Sequence, residues 1–325
     1  MIQTELWHSN FMENPGHFKV RINSLIPGKP TTFNLYLKLN NQNVLYLRAG
    51  DRLDGEKIKV LTTKDSGSHF WVNEAERKMY KGYVHDQMVS TDLNVREKSV
   101  VLRESTISLV EEMFENPDVN QALENSRPVI KEFVNFMQGE PEAMGHLISL
   151  SGHDFYTFNH SLDVSVYSLG LAEAMGFTKT DLEEMGVGAL FHDIGKRHVS
   201  LDILCKKGPL SDVEWAQMQK HPQYGLMILN EYPNSSDAVK ATCFEHHENF
   251  LGNGYPQQLQ GQEIHPFARI VAITDTYDAL TTQRSYNVPM TPTDAVTMMK
   301  DKLAGKYDPE MLKALYSVLF KLKAA

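Results

Sequence analysis

Two stretches place side chains of the same chemistry at the ends of apolar runs. In ALFHDIGKRHVS, residues 189–200, His192 and Asp193 follow the apolar run and Lys196 comes shortly after. In AVKATCFEHHENF, residues 238–250, His246 and His247 do the same. Imidazole and carboxylate together suit iron, manganese or zinc. His160, His221 and Asp275 lie in further segments of helical spacing. Any one of them alone reads equally as a hydrogen-bonded polar residue of an ordinary helix. The adjacent pairs argue for more, because helices that bury one stripe and end in imidazole and carboxylate can converge their ends on a shared inner site.

Cys205 and Cys243 are the only cysteines, too few for a cysteine-rich zinc site, so thiolate coordination is excluded. One aspartate can offer an oxygen to each of two metals. A pair of ions roughly 3.5–4 Å apart activates a bridging water and clamps the attacking and leaving oxygens of a phosphoryl displacement. The predicted reaction class is phosphoester hydrolysis.

Such a site needs a helical frame, and the second half of the chain supplies one. From about residue 147 onward every periodic segment reads as helix, with start signals in Thr180–Glu183 and Ser211–Glu214 as capping boxes, Pro266 as a first-turn proline, and Asp308–Pro309 as a cap followed by such a proline. Residues 17–72 alternate apolar and polar between turn signals and predict short strands, with one helix near 55–61 and another over NEAERKMYKGYVHDQM. Helical spacing resumes after residue 90, with Pro128 near a helix start. The expected organisation is α+β overall: a small N-terminal α/β domain at 1–90 with a regulatory role, a helical connector at 91–146, and an all-α bundle at 147–325.

Composition narrows the classes. A chain of 325 residues with 42% hydrophobic residues has room for two domains. A net charge of −9 argues against a binder of nucleic-acid polymers, though a locally basic pocket can still take a small anion. The N-terminus lacks a basic and apolar leader, and no long apolar run follows, so neither secretion nor membrane insertion is expected. With two cysteines, a reducing cytoplasm is the expected setting.

The blocks FNHSLDVSVYSLGLAEAMG, FHDIGK, DILCKKGPLSDVEWAQMQKHPQYG, EHHENFLGNGYPQQLQG, FARIVAITDTYDALTTQRSY and YDPEML run in order across residues 156–312. Together they resemble the HD-GYP branch of the HD-domain phosphohydrolases. The resemblance implies an all-α HD-GYP bundle that hydrolyses cyclic di-GMP to pGpG, with pGpG or GMP as its final product, using two divalent ions, iron first and manganese as the alternative. One ion would be held by His160, His192, Asp193 and Asp275, the other by Asp193 again with His221, His246 and His247. Where some members carry a glutamate for a third ion, this chain has Tyr156.

Lys196 would lie by the scissile phosphate, where an ammonium stabilises developing charge. Its plain alternative is a solvated lysine after a helix C-terminus. Arg284 resembles the family's phosphate-contacting arginine, and Lys206 is a weaker contact of the same kind or simply a solvated lysine. Asp278, one helical turn after Asp275, supports a ligand or is an exposed carboxylate. In GNGYP the resemblance gives Tyr255 a hydroxyl for the ligand phosphate, and the loop a role in docking GGDEF-type cyclases; by residue type alone it is a turn. A homodimer is the other expected partner. Two positions depart from the family: Leu251 before the loop's glycine instead of aspartate, and Asn287 in place of a lysine after Arg284. They leave open two alternatives, a sensing or docking module that binds cyclic di-GMP, and a hydrolase of another cyclic dinucleotide.

Overall fold

The computed structural model describes residues 16–40, 42–55, 69–115, 119–151, 157–283, 288–303 and 305–321. The helix expected at 55–61 lies outside these residues beyond Gly55, as do Tyr156, Arg284 and Asn287. The chain divides into two compact units, Met1–Asp118 with Asn135–His146, and Val119–Val134 with Leu147–Ala325.

The first unit is built on a four-stranded antiparallel sheet of β1 (His17–Arg21), β2 (Leu35–Leu39), β3 (Gln42–Leu47) and β4 (His69–Asn73), in the order β1-β4-β2-β3. The alternation that predicted strands has its cause in the register: Phe18 pairs with Val72 and Val20 with Phe70, and all four are buried. Helix α1 (Arg77–Val89) closes this core with Tyr80 and Tyr83, whose rings meet Phe33 edge-on. Helix α2 (Val95–Glu115) packs on β1, where Glu111 takes both the Arg21 guanidinium at 3.1 Å and the His69 imidazole at 3.0 Å. The mixed α+β character expected from the sequence is borne out.

Helix α3 (Val119–Gly139) runs straight through Pro128, which the sequence reading placed near a helix start. An interior proline removes a backbone hydrogen bond and costs about 3 kcal/mol. Here a buried stripe of Leu123, Ile130, Phe133 and Val134 spans the proline and outweighs that loss. After α4 (Ala143–Ser149), the second unit is helical: α5 (Thr157–Ala174), α6 (Lys179–Phe191), α7 (Leu201–Leu204), α8 (Asp212–Met218), α9 (His221–Asn230), α10 (Asp237–Glu245), α11 (Pro266–Thr281), α12 (Pro292–Asp301) and α13 (Pro309–Lys321).

The start of α6 corrects another expectation. The capping box is Thr178 with Asp181, not Thr180 with Glu183. Thr178 has Phe177 before it and Leu182 at the fourth helical position, so the hydrophobic staple positions agree with the box. Ser211 with Glu214, Pro266 in a first turn, and Asp308 ahead of Pro309 stand as read. Helix α6 is buried along most of its length, from Leu182 through Phe191, which fixes where its C-terminus must deliver the next two residues.

Candidate metal centre

His192 caps the C-terminus of α6 and Asp193 follows it, both wholly out of solvent. His246 caps α10 in the same way, with His247 next. His221 opens α9, His160 lies in the first turns of α5, and Asp275 and Asp278 lie on α11. Five helices therefore bring their polar residues to one place.

The two oxygens of Asp193 face different histidines. Oδ2 lies 3.3 Å from His192 Nε2 and 3.6 Å from His160 Nε2, and it accepts a hydrogen bond from the Lys196 ammonium. Oδ1 lies 3.3 Å from His221 Nε2 and 3.8 Å from His246 Nε2. Asp275 joins the first group through Oδ1, 3.3 Å from His160 Nε2. His247 joins the second: its ligand nitrogen and those of His221 and His246 all lie within 4.8 Å of one another.

Four of the five rings have their orientation set from behind. His192, His221 and His246 donate Nδ1–H to the carbonyls of Ala189, Met218 and Cys243 at 2.7, 2.9 and 2.8 Å. His160 donates Nδ1–H to Asp278 at 2.7 Å, and Asp278 is itself held by Thr282 at 2.9 Å. With Nδ1 committed, the Nε2 atoms of His192, His221 and His246 point inward as lone pairs, the tautomer that ligates metal, whereas His160 Nε2 faces the carboxylates of Asp193 and Asp275. His221 Nε2 and His246 Nε2 stand 3.2 Å apart, and the buried His192 Nε2 and Asp193 Oδ1 have no hydrogen-bond partner. Converging lone pairs and orphaned buried acceptors are unfavourable by themselves and fit a cation among them.

Electrostatics separates the two sides. Burial drives His221 down to about 4 and His246 to about 3, with the neighbouring imidazoles adding to the effect at His246. Burial also holds His247 well below the ordinary histidine value. Burial acts on His160 in the same direction, but Asp193, Asp275 and Asp278 around it outweigh that and raise its pKa well above normal. Against burial, Lys196 and His192 keep Asp193 ionised, and His160 does so for Asp275.

Several residues that shape the site carried no signal in their own type. Gly195 packs so closely on α9 that a Cβ there would fall 1.9 Å from the His221 carbonyl oxygen and 2.4 Å from the Gly225 nitrogen. Cys243, buried, donates Sγ–H to the His192 carbonyl at 3.3 Å. Glu248 is buried and accepts from the backbone N–H groups of Gln257, Gln258 and Leu259 at 2.6, 3.1 and 3.2 Å, holding the far end of the GNGYP loop. Its position directly after His246–His247 was the one available clue.

Tyr255 stacks on His247, ring centroids 4.8 Å apart. Lys206 is paired with Glu214, and no described hydrogen bond or ion pair joins it to the imidazoles. Arg284 lies outside the described residues.

The HD-domain family profile matches residues 142–311, more than half of the chain and all of the centre just described. The chain belongs to the HD-domain family. Among curated relatives, a cyclic di-GMP phosphodiesterase of Pseudomonas aeruginosa is 30% identical over 228 residues, covering 70% of this chain and 55% of its own. A 3'3'-cGAMP-specific phosphodiesterase of Vibrio cholerae is 31% identical over 225 residues, covering 66% and 48%. The chain thus spans about half the length of the curated relatives it matches. A solved HDG"Y"P protein from Bdellovibrio bacteriovorus shares the fold, with a TM-score of 0.73 and 24% identity over 93% of this chain and 99% of that one. The HD-GYP resemblance read from the motifs is borne out. No described helix is long and apolar enough to cross a membrane.

Proposed function

We propose that this HD-domain chain is a metal-dependent phosphodiesterase that opens cyclic di-GMP to pGpG, with pGpG or GMP as its final product. The observation that carries the reading is the split of Asp193, whose Oδ2 faces His160 and His192 while its Oδ1 faces His221 and His246. That arrangement supports two divalent ions, iron first and manganese as the alternative, with His160, His192, Asp193 and Asp275 holding one and Asp193, His221, His246 and His247 the other. When bound, such a pair supplies Lewis-acid charge and a water of lowered pKa.

The chain's own residues do the rest. Asp278 fixes the His160 ring, and the backbone carbonyls fix the other three. Water attacks phosphorus in line, negative charge builds on the phosphoryl oxygens, and the P–O3′ bond breaks, so that the hydroxyl of water stays on phosphorus and its other proton ends on the leaving 3′ oxygen. The Lys196 ammonium is assigned to stabilise that charge, a role that its hydrogen bond to Asp193 supports. Arg284 and Tyr255 are assigned to the substrate phosphate on the strength of the sequence resemblance. Lys206 is a weaker candidate because Glu214 already neutralises it.

From their position ahead of the catalytic bundle at 147–325, residues 1–90 serve regulation and 91–146 connect; on the sequence resemblance the GNGYP loop docks GGDEF-type cyclases, and a homodimer in the reducing cytoplasm is the working form that goes with this reading. One relative named for 3'3'-cGAMP favours a second substrate reading within the same chemistry. The deciding experiment loads the protein anaerobically with ferrous iron or manganese, offers cyclic di-GMP and 3'3'-cGAMP in parallel, and follows linear products by chromatography. Asp193→Ala is the control. Product from cyclic di-GMP in the loaded wild type alone supports the proposal; confirmed metal occupancy without product from either substrate refutes it.

A further inference from the structure

A short series of rings leads outward from the metal centre. Tyr255 stacks on His247 with an interplanar angle of 27°, and Trp215 meets Tyr255 edge-on, centroids 6.5 Å apart at 82°. Trp215 is left 48% exposed. Its helix, α8, is firmly placed: Ser211 and Glu214 close a capping box at its start, and Lys206 ties into the same Glu214 carboxylate. Because that ion pair is internally neutral, no unpaired charge of either residue adjoins the indole. A large apolar ring in water, fixed on a capped helix and linked by one ring to a metal-binding histidine, offers a flat surface for another π system.

We propose that Trp215 is the platform on which a purine base of the cyclic dinucleotide stacks while its phosphodiester lies at the metal centre. The inference rests on the phosphodiesterase reading above and adds the residue that holds the base. In a cyclic dinucleotide each base is tethered one sugar away from a phosphate, so a phosphate at the imidazoles brings a base to the rim that Tyr255 and Trp215 form. Stacking uses the π-face that every base has, so Trp215 provides affinity without choosing guanine over adenine. Discrimination between cyclic di-GMP and 3'3'-cGAMP therefore lies elsewhere.

The test uses the metal-loaded full chain and cyclic di-GMP. Stopped-flow mixing follows tryptophan emission, and steady-state assays give KM and kcat for wild type, Trp215→Ala and Trp215→Phe. Emission in the wild type is expected to quench on mixing, and the quench is expected to vanish in Trp215→Phe although Trp7 and Trp71 still emit. Trp215→Ala is expected to raise KM roughly tenfold or more, the loss of one base–aromatic stack, with kcat within about twofold; Trp215→Phe recovers most of the KM.

Normal KM in Trp215→Ala with product still forming overturns the platform and leaves the phosphodiesterase reading intact. A raised KM with no quench in the wild type also overturns it, because the indole then acts by positioning Tyr255. A loaded wild type showing neither turnover nor quench refutes the two together.

Discussion

His221 and His246 meet Nε2 to Nε2 at 3.2 Å, and each has already committed its Nδ1 proton to a carbonyl, that of Met218 or Cys243. Two neutral rings so arranged, both buried, point lone pairs at each other. A divalent ion relieves this, so manganese added to chelator-stripped protein is expected to raise the melting temperature by several degrees, the equivalent of about 2.7 kcal/mol at a hundred times Kd. His246→Ala should remove most of that rise. Equal shifts in the variant and the wild type would show that the ion binds elsewhere.

The depressed histidines also set how the metal-free protein responds to acid. His221 and His246 titrate at about 4 and about 3 in the folded chain, against an ordinary value of 6.5. Between those limits the unfolded chain binds more protons, so stability is retained above 6.5 and falls as pH drops toward 4. His160 has the opposite sign: its contribution is complete below the ordinary histidine value and fades only as pH rises through its raised pKa. It therefore cannot offset the loss in acid. Thermal melts of chelator-treated protein across this range should show the decline, and His221→Ala should flatten it; a pH-independent melt would contradict the assignment.

Asp278 reaches the centre through His160 Nδ1, at 2.7 Å. Its asparagine variant keeps the shape but can turn a donor toward the ring, which weakens the imidazole as a ligand. Metal affinity is expected to fall by about 10- to 100-fold, as for other residues that orient a metal-bound histidine. Competition with a metal indicator measures it, and unchanged affinity would assign Asp278 to packing alone.

What the sequence made legible and what it hid divide along physical lines. Helix termini were readable because His192–Asp193 and His246–His247 interrupt apolar runs, and a polar pair at such a point has to leave the core with the backbone. The caps at Ser211 and Asp308 were readable because their hydrogen bonds are local. Pro128 misled because its cost is local, whereas the burial that overrides it is set by helices distant in sequence. Gly195 and Glu248 gave little sign for the same reason. A missing side chain matters only once α9 lies against it, and a carboxylate that binds three backbone N–H groups of a later loop has no periodicity to betray it.

Two glycines should respond oppositely to the same added methyl. At Gly195 the Cβ would meet backbone atoms of His221 and Gly225 that cannot swing away, so Gly195→Ala is expected to destabilise by about 3 kcal/mol and to weaken metal binding by displacing His221. Gly82 is exposed inside α1 with nothing within 4 Å of the added atom, so Gly82→Ala is expected to stabilise by roughly 0.5–1 kcal/mol. Denaturant unfolding of the pair distinguishes the close approach from a general intolerance of alanine.

Glu248 ties the metal centre to the loop that carries Tyr255. Its carboxylate is buried and satisfies the N–H groups of Gln257, Gln258 and Leu259, directly after the Tyr255–Pro256 pair. In Glu248→Gln one oxygen becomes an NH₂ group that faces a backbone donor, and the remaining hydrogen bonds lose their charge, an expected penalty of about 2 kcal/mol concentrated in this loop. Tyr255 then loses its fixed stacking on His247, while His246 and His247 keep their places at the end of α10. The expected result is a severalfold higher KM for cyclic di-GMP with metal content unchanged, together with faster amide exchange at 255–259. Loss of metal along with the loop would instead mean that Glu248 positions the histidines themselves, and that the loop and the centre form one cooperative unit.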